Sequence, residues 1–214
     1  MSRRLIGLST IERSRLPSQC GACVFWESIE PLRRECGAAC DEGAALAWTR
    51  GVSSEWGECG RAAVEDGDVL GFIKYAPPAY LPQARHMPSG PPEESAAIIA
   101  CMHIAPEARR RGLGGVLLRE AMRDLAQRGE RSVQAYATAD GGEFEGVPFI
   151  GVEFLLRNGF TVVRPHPEVP LLRVDLKTLV SWTENLEAVL DSLRLPMRVP
   201  KRAPVTLSTG RGDQ

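Results

Sequence analysis

Hydrophobic and polar positions change period every few residues along this chain, which predicts strands interleaved with helices rather than separate all-α and all-β regions. Residues 3–8 form a first short strand-like run, and Ser9 or Thr10 is placed to cap a short helix reaching Leu16, ahead of Pro17. Cys23-Val24-Phe25-Trp26 is apolar and β-prone. Residues 33–56 are Ala-rich and helix-compatible, with Gly43 and Gly51 weakening the pattern. Residues 60–65 and 69–75 flank Asp66-Gly67-Asp68, the composition of a tight turn between two antiparallel strands.

Residues 76–94 are proline-rich and aperiodic, which predicts a long ordered loop or lid, a kind of segment that often carries function. An apolar run over 96–104 then leads into a helix over 106–129, with Pro106 near its start and Gly129 after its end. On that helix Leu113, Val116, Leu117, Ala121 and Leu125 recur at helical spacing, while Arg119, Arg123 and Arg128 lie elsewhere on the wheel. A strand over 132–138, a helix over 147–158 ending at Gly159, strands over 160–164 and 169–176, and an amphipathic helix over 178–193 follow. Few apolar residues remain from Pro196 onward, so the expectation is one domain over 1–195 and a flexible tail over 196–214.

Composition narrows the function classes. With 214 residues, 43% hydrophobic and 25% charged, the chain has the make-up of a folded globular protein and enough length for a core without disulfide staples. Its net charge of −1 offers no global attraction for a polyanion, so nucleic acid is not an expected partner. The apolar run from Leu5 to Leu8 is too short for a signal peptide or a membrane span, which leads to the expectation of a cytoplasmic protein with no membrane partner. The six cysteines are then expected to be thiols. Cys20-x-x-Cys23 followed by Cys36-x-x-x-Cys40, with Cys59 as a substitute ligand, is a spacing that suits zinc or redox chemistry. Because Cys36 and Cys40 are one turn apart in a helix-like segment and Cys23 leads an apolar run, the favoured reading is reduced cysteines without metal.

The chemistry concentrates in Met102-His103-Ile104-Ala105-Pro106-Glu107-Ala108-Arg109-Arg110-Arg111-Gly112-Leu113-Gly114-Gly115. A buried strand ends, a short turn follows, and glycines open a helix whose first backbone N–H groups have no side chain in front of them. The helix dipole puts about half a positive charge there and Arg109, Arg110 and Arg111 add full charges, an arrangement suited to a pyrophosphate. Neither the Gly-Lys-Ser/Thr of a P-loop nor the Gly-x-Gly-x-x-Gly of a dinucleotide turn is present.

At Arg109-x-x-Gly112-x-Gly114 the sequence resembles the GNAT superfamily of acyl-CoA-dependent N-acyltransferases. The strand ending in Ile104-Ala105-Pro106 and the downstream Phe154-Leu155-Leu156-Arg157-Asn158-Gly159-Phe160 fit the same pattern, and the likeness covers about residues 3–176. More narrowly, Cys20-x-x-Cys23-Val24-Phe25-Trp26-Glu27, Glu55-Trp56-Gly57-x-Cys59-Gly60 and Tyr75-Ala76-Pro77-Pro78 resemble an actinobacterial branch of it. The resemblance implies an α/β (α+β) fold, a mixed and mostly antiparallel sheet splayed between the strands at 96–104 and 132–138 and flanked by helices. It implies acetyl-CoA as acyl donor, held by backbone groups of Met102, His103 and Ile104 and by the turn from Arg109, Arg110 and Arg111 through Gly112, Leu113, Gly114 and Gly115. An amine acceptor would attack directly in a ternary complex, and the family is compatible with a homodimer. Leu155 stands where many members carry a tyrosine that protonates the leaving thiolate, so Tyr80 in the lid, or Tyr136, is a substitute acid. His103 is the candidate base, with Glu143, beside Asp140 and Glu145, in an acidic loop facing the acceptor. A non-catalytic acyl-CoA sensor is the alternative that the Leu155 departure allows.

Overall fold

A computed structural model describes residues 3–16, 18–29, 40–139, 141–144 and 147–177. Residues 33–39 of the expected 33–56 helix, the 178–193 helix and the tail lie outside the described residues, as do Cys36, Asp140 and Glu145; Cys40 sits in a β-bridge and Asp41 caps the helix, which runs over Glu42–Glu55 rather than through Cys40.

The strands are β1 (Arg4–Gly7), β2 (Gly60–Glu65), β3 (Asp68–Ala76), β4 (Ala97–Ile104), β5 (Ser132–Thr138), β6 (Glu143–Phe144), β7 (Val147–Pro148), β8 (Ile150–Gly151), β9 (Thr161–Arg164) and β10 (Leu171–Asp175); the helices are α1 (Glu42–Glu55), α2 (Leu113–Gln127) and α3 (Val152–Arg157). One sheet runs β1-β2-β3-β4-β5-β10-β9, with β8 added beside β5, and β6 pairs with β7 separately. Every pairing on that path is antiparallel except β4 with β5. This is the mixed, mostly antiparallel sheet with flanking helices that the sequence led one to expect. The β2–β3 turn has both Asp66 (φ 50°) and Gly67 (φ 99°) in the left-handed region, the geometry that matches the twist of a two-residue hairpin.

One face of the sheet packs against α2 through Ile73, Tyr75, Ile99, Val133 and Ala135, which meet Leu113, Leu117, Ala121 and Leu125. Val116, expected on that stripe, is instead 38% exposed, because the buried arc is completed by Leu118 and Met122. Asp124 fastens the far end of α2: it accepts from the Tyr75 hydroxyl, from Arg61 at 3.0 Å and from Arg128 at 2.8 Å, and Arg128 lies 4.4 Å over the Trp56 ring. The opposite face carries Phe25, Trp26, Leu81, Ile98, Ala100, Tyr136 and Phe149.

Four local expectations need correction. Instead of one helix after Ser9, two separate 3-10 turns form at Leu8–Thr10 and Arg13–Arg15, because the Ser9 amide and hydroxyl both bond Glu58 and Thr10 Oγ1 bonds the Gly7 carbonyl. Cys23-Val24-Phe25-Trp26 is a single bridge residue, Cys23, followed by a turn that drives Phe25 and Trp26 into the core. The helix over 106–129 is a 3-10 turn at Pro106–Ala108, a turn with Arg110 at φ 59° and Gly112 at φ 75°, and then α2. The stretch 147–158 is helical only over Val152–Arg157, because Ile150 and Gly151 are drawn into parallel pairing with Ala137 and Thr138. The lid 76–94 is ordered, with 3-10 turns at Pro78–Tyr80 and Pro82–His86.

Candidate active site

β4 and β5 pair only through Ala97–Val133, Ile98–Gln134 and Ile99–Ala135. Beyond that point β5 turns to β8 while β4 stays paired with β3, so the edge of β4 from Ala100 to Ile104 has no strand beside it among the described residues. The sheet is splayed there, and a row of backbone donors and acceptors faces the opening. A bulge falls at the mouth of the splay: Cys101 pairs with Lys74 and Ile99 with Tyr75, leaving Ala100 without a ladder partner. The extra residue reverses the side-chain alternation. Met102 and Ile104 therefore pack on the α2 side, while Cys101 and His103 point to the other face, where His103 stacks on Phe72 with ring centroids 6.2 Å apart.

The turn after β4 supplies the second part. Gly112 is the N-cap of α2, and no side chain caps the helix, so the amides of its first turn are left for a ligand. The added Cβ that any other residue would bring at Gly114 lies 3.5 Å from Met102 and from Phe154 of α3, so this helix start sits directly beside the splayed edge. The Nε of Arg109 donates to the Ile104 carbonyl at 3.0 Å, which braces the strand end. Arg110 and Arg111 are exposed beside the helix start.

His103 Nε2 is buried without a hydrogen-bond partner among the described residues. Burial, and then the Arg109 cation, hold its imidazole below the ordinary value of 6.5, with Glu107 opposing weakly. A neutral imidazole with an uncommitted nitrogen results. Leu155 is fully buried in the core. Tyr80 donates its hydroxyl to Glu55 Oε2 at 3.1 Å and its carbonyl accepts from Trp48 Nε1, so the structure commits it to α1. Tyr136 donates to the carbonyls of Ala84 and Gly90, tying β5 to the lid. Glu143 is exposed on the β6–β7 hairpin. Met102, His103, Ile104 and the 109–115 turn thus come together, while the Tyr80 hydroxyl is engaged by Glu55.

Behind β3 and β4, on the His103 side, Lys74 Nζ donates to Glu27 Oε1 at 2.7 Å and lies 5.0 Å over the Trp48 ring. Burial pushes Lys74 down, but Glu27 and the neighbouring thiols outweigh it and its affinity for the proton rises. Cys20, Cys23 and Cys101 line a cavity of about 30 Å3 beside it, room for roughly one water. Burial pushes Cys20 and Cys59 up to about 11 and Cys101 up to about 12, so these thiols stay protonated at neutral pH. No group of three or more metal-ligating side chains among the described residues is placed to hold a metal ion. A hollow of about 260 Å3 beside α3, lined by Ala139, Val152, Glu153, Leu156 and His166, includes none of the β4 or 109–115 residues. No described helix is long and apolar enough to cross a membrane. Sequence reasoning missed Ala100, since a bulge leaves no residue signature in an apolar run of small and branched side chains.

Residues 25–143 match the model of the acetyltransferase (GNAT) family. Compared with curated proteins, the chain matches none. Among solved structures it resembles the PaiA N-acetyltransferase of Thermoplasma acidophilum in complex with coenzyme A, at 16% identity and a TM-score of 0.55, covering 82% of this chain and 99% of that one. An N-acetyltransferase from Staphylococcus aureus Mu50 matches at 14% identity and a TM-score of 0.52, over 82% and 99%. Ard1 from Thermoplasma volcanium matches at 14% identity and a TM-score of 0.51, over 82% and 98%. Likenesses at these identities concern the fold.

Proposed function

Because the chain belongs to the acetyltransferase (GNAT) family, we propose that it carries the acetyl group of acetyl-CoA to a primary amine by direct attack in a ternary complex. The observation that carries this reading is the splayed β4 edge running into an uncapped helix start at Gly112. Backbone groups of Met102 and the Ile104 amide face the opening and suit pairing with the amides of a pantetheine arm, the Ile104 carbonyl being held by Arg109, and the first-turn amides of α2 with Arg110 and Arg111 suit its pyrophosphate. The unpaired backbone at Ala100 is in place to donate to the oxyanion that develops on the acyl carbonyl. His103, neutral and with Nε2 uncommitted, takes the proton of the attacking ammonium. A CoA thiol titrates near ~8.5, so the thiolate departs without the tyrosine that Leu155 replaces. Protonated thiols at Cys101 and Cys59 supply no nucleophile for an acyl-enzyme, which favours direct attack. Glu143 on the hairpin would draw a cationic acceptor toward the site.

Leu155 also favours a second reading, a protein that binds acyl-CoA without turning it over. A thermal-shift titration with acetyl-CoA, followed by a CoA-release screen across small amines, peptide N-termini and lysine peptides, separates the two. Stabilisation with release on at least one amine supports transfer. Stabilisation with no release on any amine supports the sensor, and no stabilisation sinks both.

A further inference from the structure

A pair of cysteines apart from this chemistry sits in a cross-linking geometry. Cys23 and Cys40 are partners in an isolated antiparallel bridge. The accompanying hydrogen bond runs from the Asp41 amide to the Ala22 carbonyl at 2.7 Å, one residue outside the pair on each strand. That pattern marks a non-hydrogen-bonded pair, whose Cα atoms lie ~4.5 Å apart with side chains on the same face. A disulfide needs Cα atoms about 4.4–6.8 Å apart and Cβ atoms converging, so the register already provides what the bond requires. Both thiols are free; Cys40 is exposed and Cys23 half-buried. The electrostatic influence of Cys40 on Cys23 agrees with their closeness.

We propose that Cys23 and Cys40 form a reversible disulfide that fastens the turn carrying Phe25, Trp26 and Glu27 to the N-terminus of α1. The oxidant is a small-molecule disulfide. The exposed Cys40 thiolate attacks one sulfur of it, the small S–S bond breaks, and one small thiol leaves with a proton. The Cys23 thiolate then attacks Cys40 Sγ of the mixed disulfide and expels the second small thiol. Two protein thiols are oxidised to one disulfide, one small disulfide is reduced to two thiols, and the protons of Cys23 and Cys40 pass to the leaving groups. Cys20 and Cys101 line the Lys74 cavity together with Cys23, but it is Cys40 that the backbone register holds directly opposite Cys23, and so the partner assigned to Cys23 is Cys40. The bond would hold Glu27 beside Lys74 and cap-residue Asp41 in its hydrogen bond to Ala44.

The test equilibrates the full chain with buffers of reduced and oxidised glutathione and then alkylates the remaining thiols. The expected result is loss of two free thiols, restored by dithiothreitol, and a tryptic map in which peptides 16–33 and 35–50 are joined, with fragmentation placing the bond between Cys23 and Cys40. A double variant, Cys20→Ser with Cys36→Ser, should keep the link, and Cys40→Ser should lose it. All thiols remaining alkylatable in excess oxidised glutathione would overturn the proposal. So would a bond from Cys23 to Cys20 or Cys36, or one equivalent of zinc shielding Cys23 and Cys40 from alkylation. The wild-type map decides the matter even where a serine variant misfolds, and it does not depend on acyltransfer.

Discussion

His103 owes its place in the proposed mechanism to a backbone irregularity three residues earlier. Were the strand to alternate regularly through Ala100 with no bulge, its ring would face α2 and be lost in the core, whereas here it stacks on Phe72 with Nε2 uncommitted. Since burial and Arg109 lower its proton affinity, the imidazole is already neutral at pH 7, and protonation below its lowered pKa removes the base. The acid limb of kcat should therefore have its midpoint below 6.5, and His103→Gln should lose that limb and about 100-fold in kcat, with little change in the KM for acetyl-CoA. An unaltered pH profile in the variant would exclude His103 as base. The same depressed value makes its contribution to stability complete above about 6.5 and lost as the pH falls through the folded-state value. The buried pair behind it behaves in the opposite sense. Lys74 and Glu27 have side chains 5% and 8% exposed, and Lys74 holds its proton more tightly than a free lysine, so the pair stabilises the fold below about pH 10.4 and fails above its raised pKa. Removing one partner strands a buried cation, so Glu27→Gln should cost about 3 kcal/mol at pH 7, with Lys74→Met in the same chain recovering part of it. Urea unfolding reads both values, and a single-variant loss below about 1 kcal/mol would count against a tightly held pair. The chemistry of these residues was legible in part: His103 was singled out from its position at a strand end, but Glu27 and Lys74 are 47 residues apart and nothing local links them.

The elements most legible in the sequence were those whose signal is local. Asp66-Gly67 specified its hairpin through two left-handed residues, and the strand over 132–138 was expected with the bounds it has. The helix over 147–158 was not legible, because pairing of Ile150 and Gly151 with the end of β5 is a tertiary demand that outweighs helical periodicity. Nor was the bond from Arg109 Nε to the Ile104 carbonyl, since it depends on how sharply the chain turns after β4. The centre of the proposed anion site is the helix start. Gly114 leaves van der Waals room for a Cβ, so Gly114→Asp should fold normally while its carboxylate opposes the phosphates across the first-turn amides. At 100 times its Kd, acetyl-CoA should stabilise the wild type by about 2.7 kcal/mol, and the variant by almost nothing, as read by thermal shift. Equal acetyl-CoA affinity in the two proteins would remove the turn from the binding site.

At the scale of the molecule, the mixed order β1-β2-β3-β4-β5-β10-β9 places its one parallel contact, β4 with β5, where the sheet opens. The opening was anticipated through the family likeness, not through periodicity, because a splay is a relation between two strands that each look ordinary. Charge at this scale does not steer anything: 26 basic and 27 acidic residues leave a net charge of −1. Any preference for a cationic acceptor must then come from a local field. Between Ser132 and Phe154 the chain has no Lys or Arg, and Glu143 stands exposed on the β6–β7 hairpin that follows the splayed β5. An exposed carboxylate acts on a distant cation through solvent and is screened over ~10 Å at 0.1 M salt. Glu143→Gln should accordingly raise the KM for a cationic amine a few-fold at low ionic strength, leave that for acetyl-CoA unchanged, and lose its effect as salt is added. Initial rates with both substrates varied at two salt concentrations measure this directly. A parallel rise in both Michaelis constants would point to a distorted hairpin, and a salt-independent rise for the amine alone would mean that Glu143 touches the acceptor rather than attracting it from a distance.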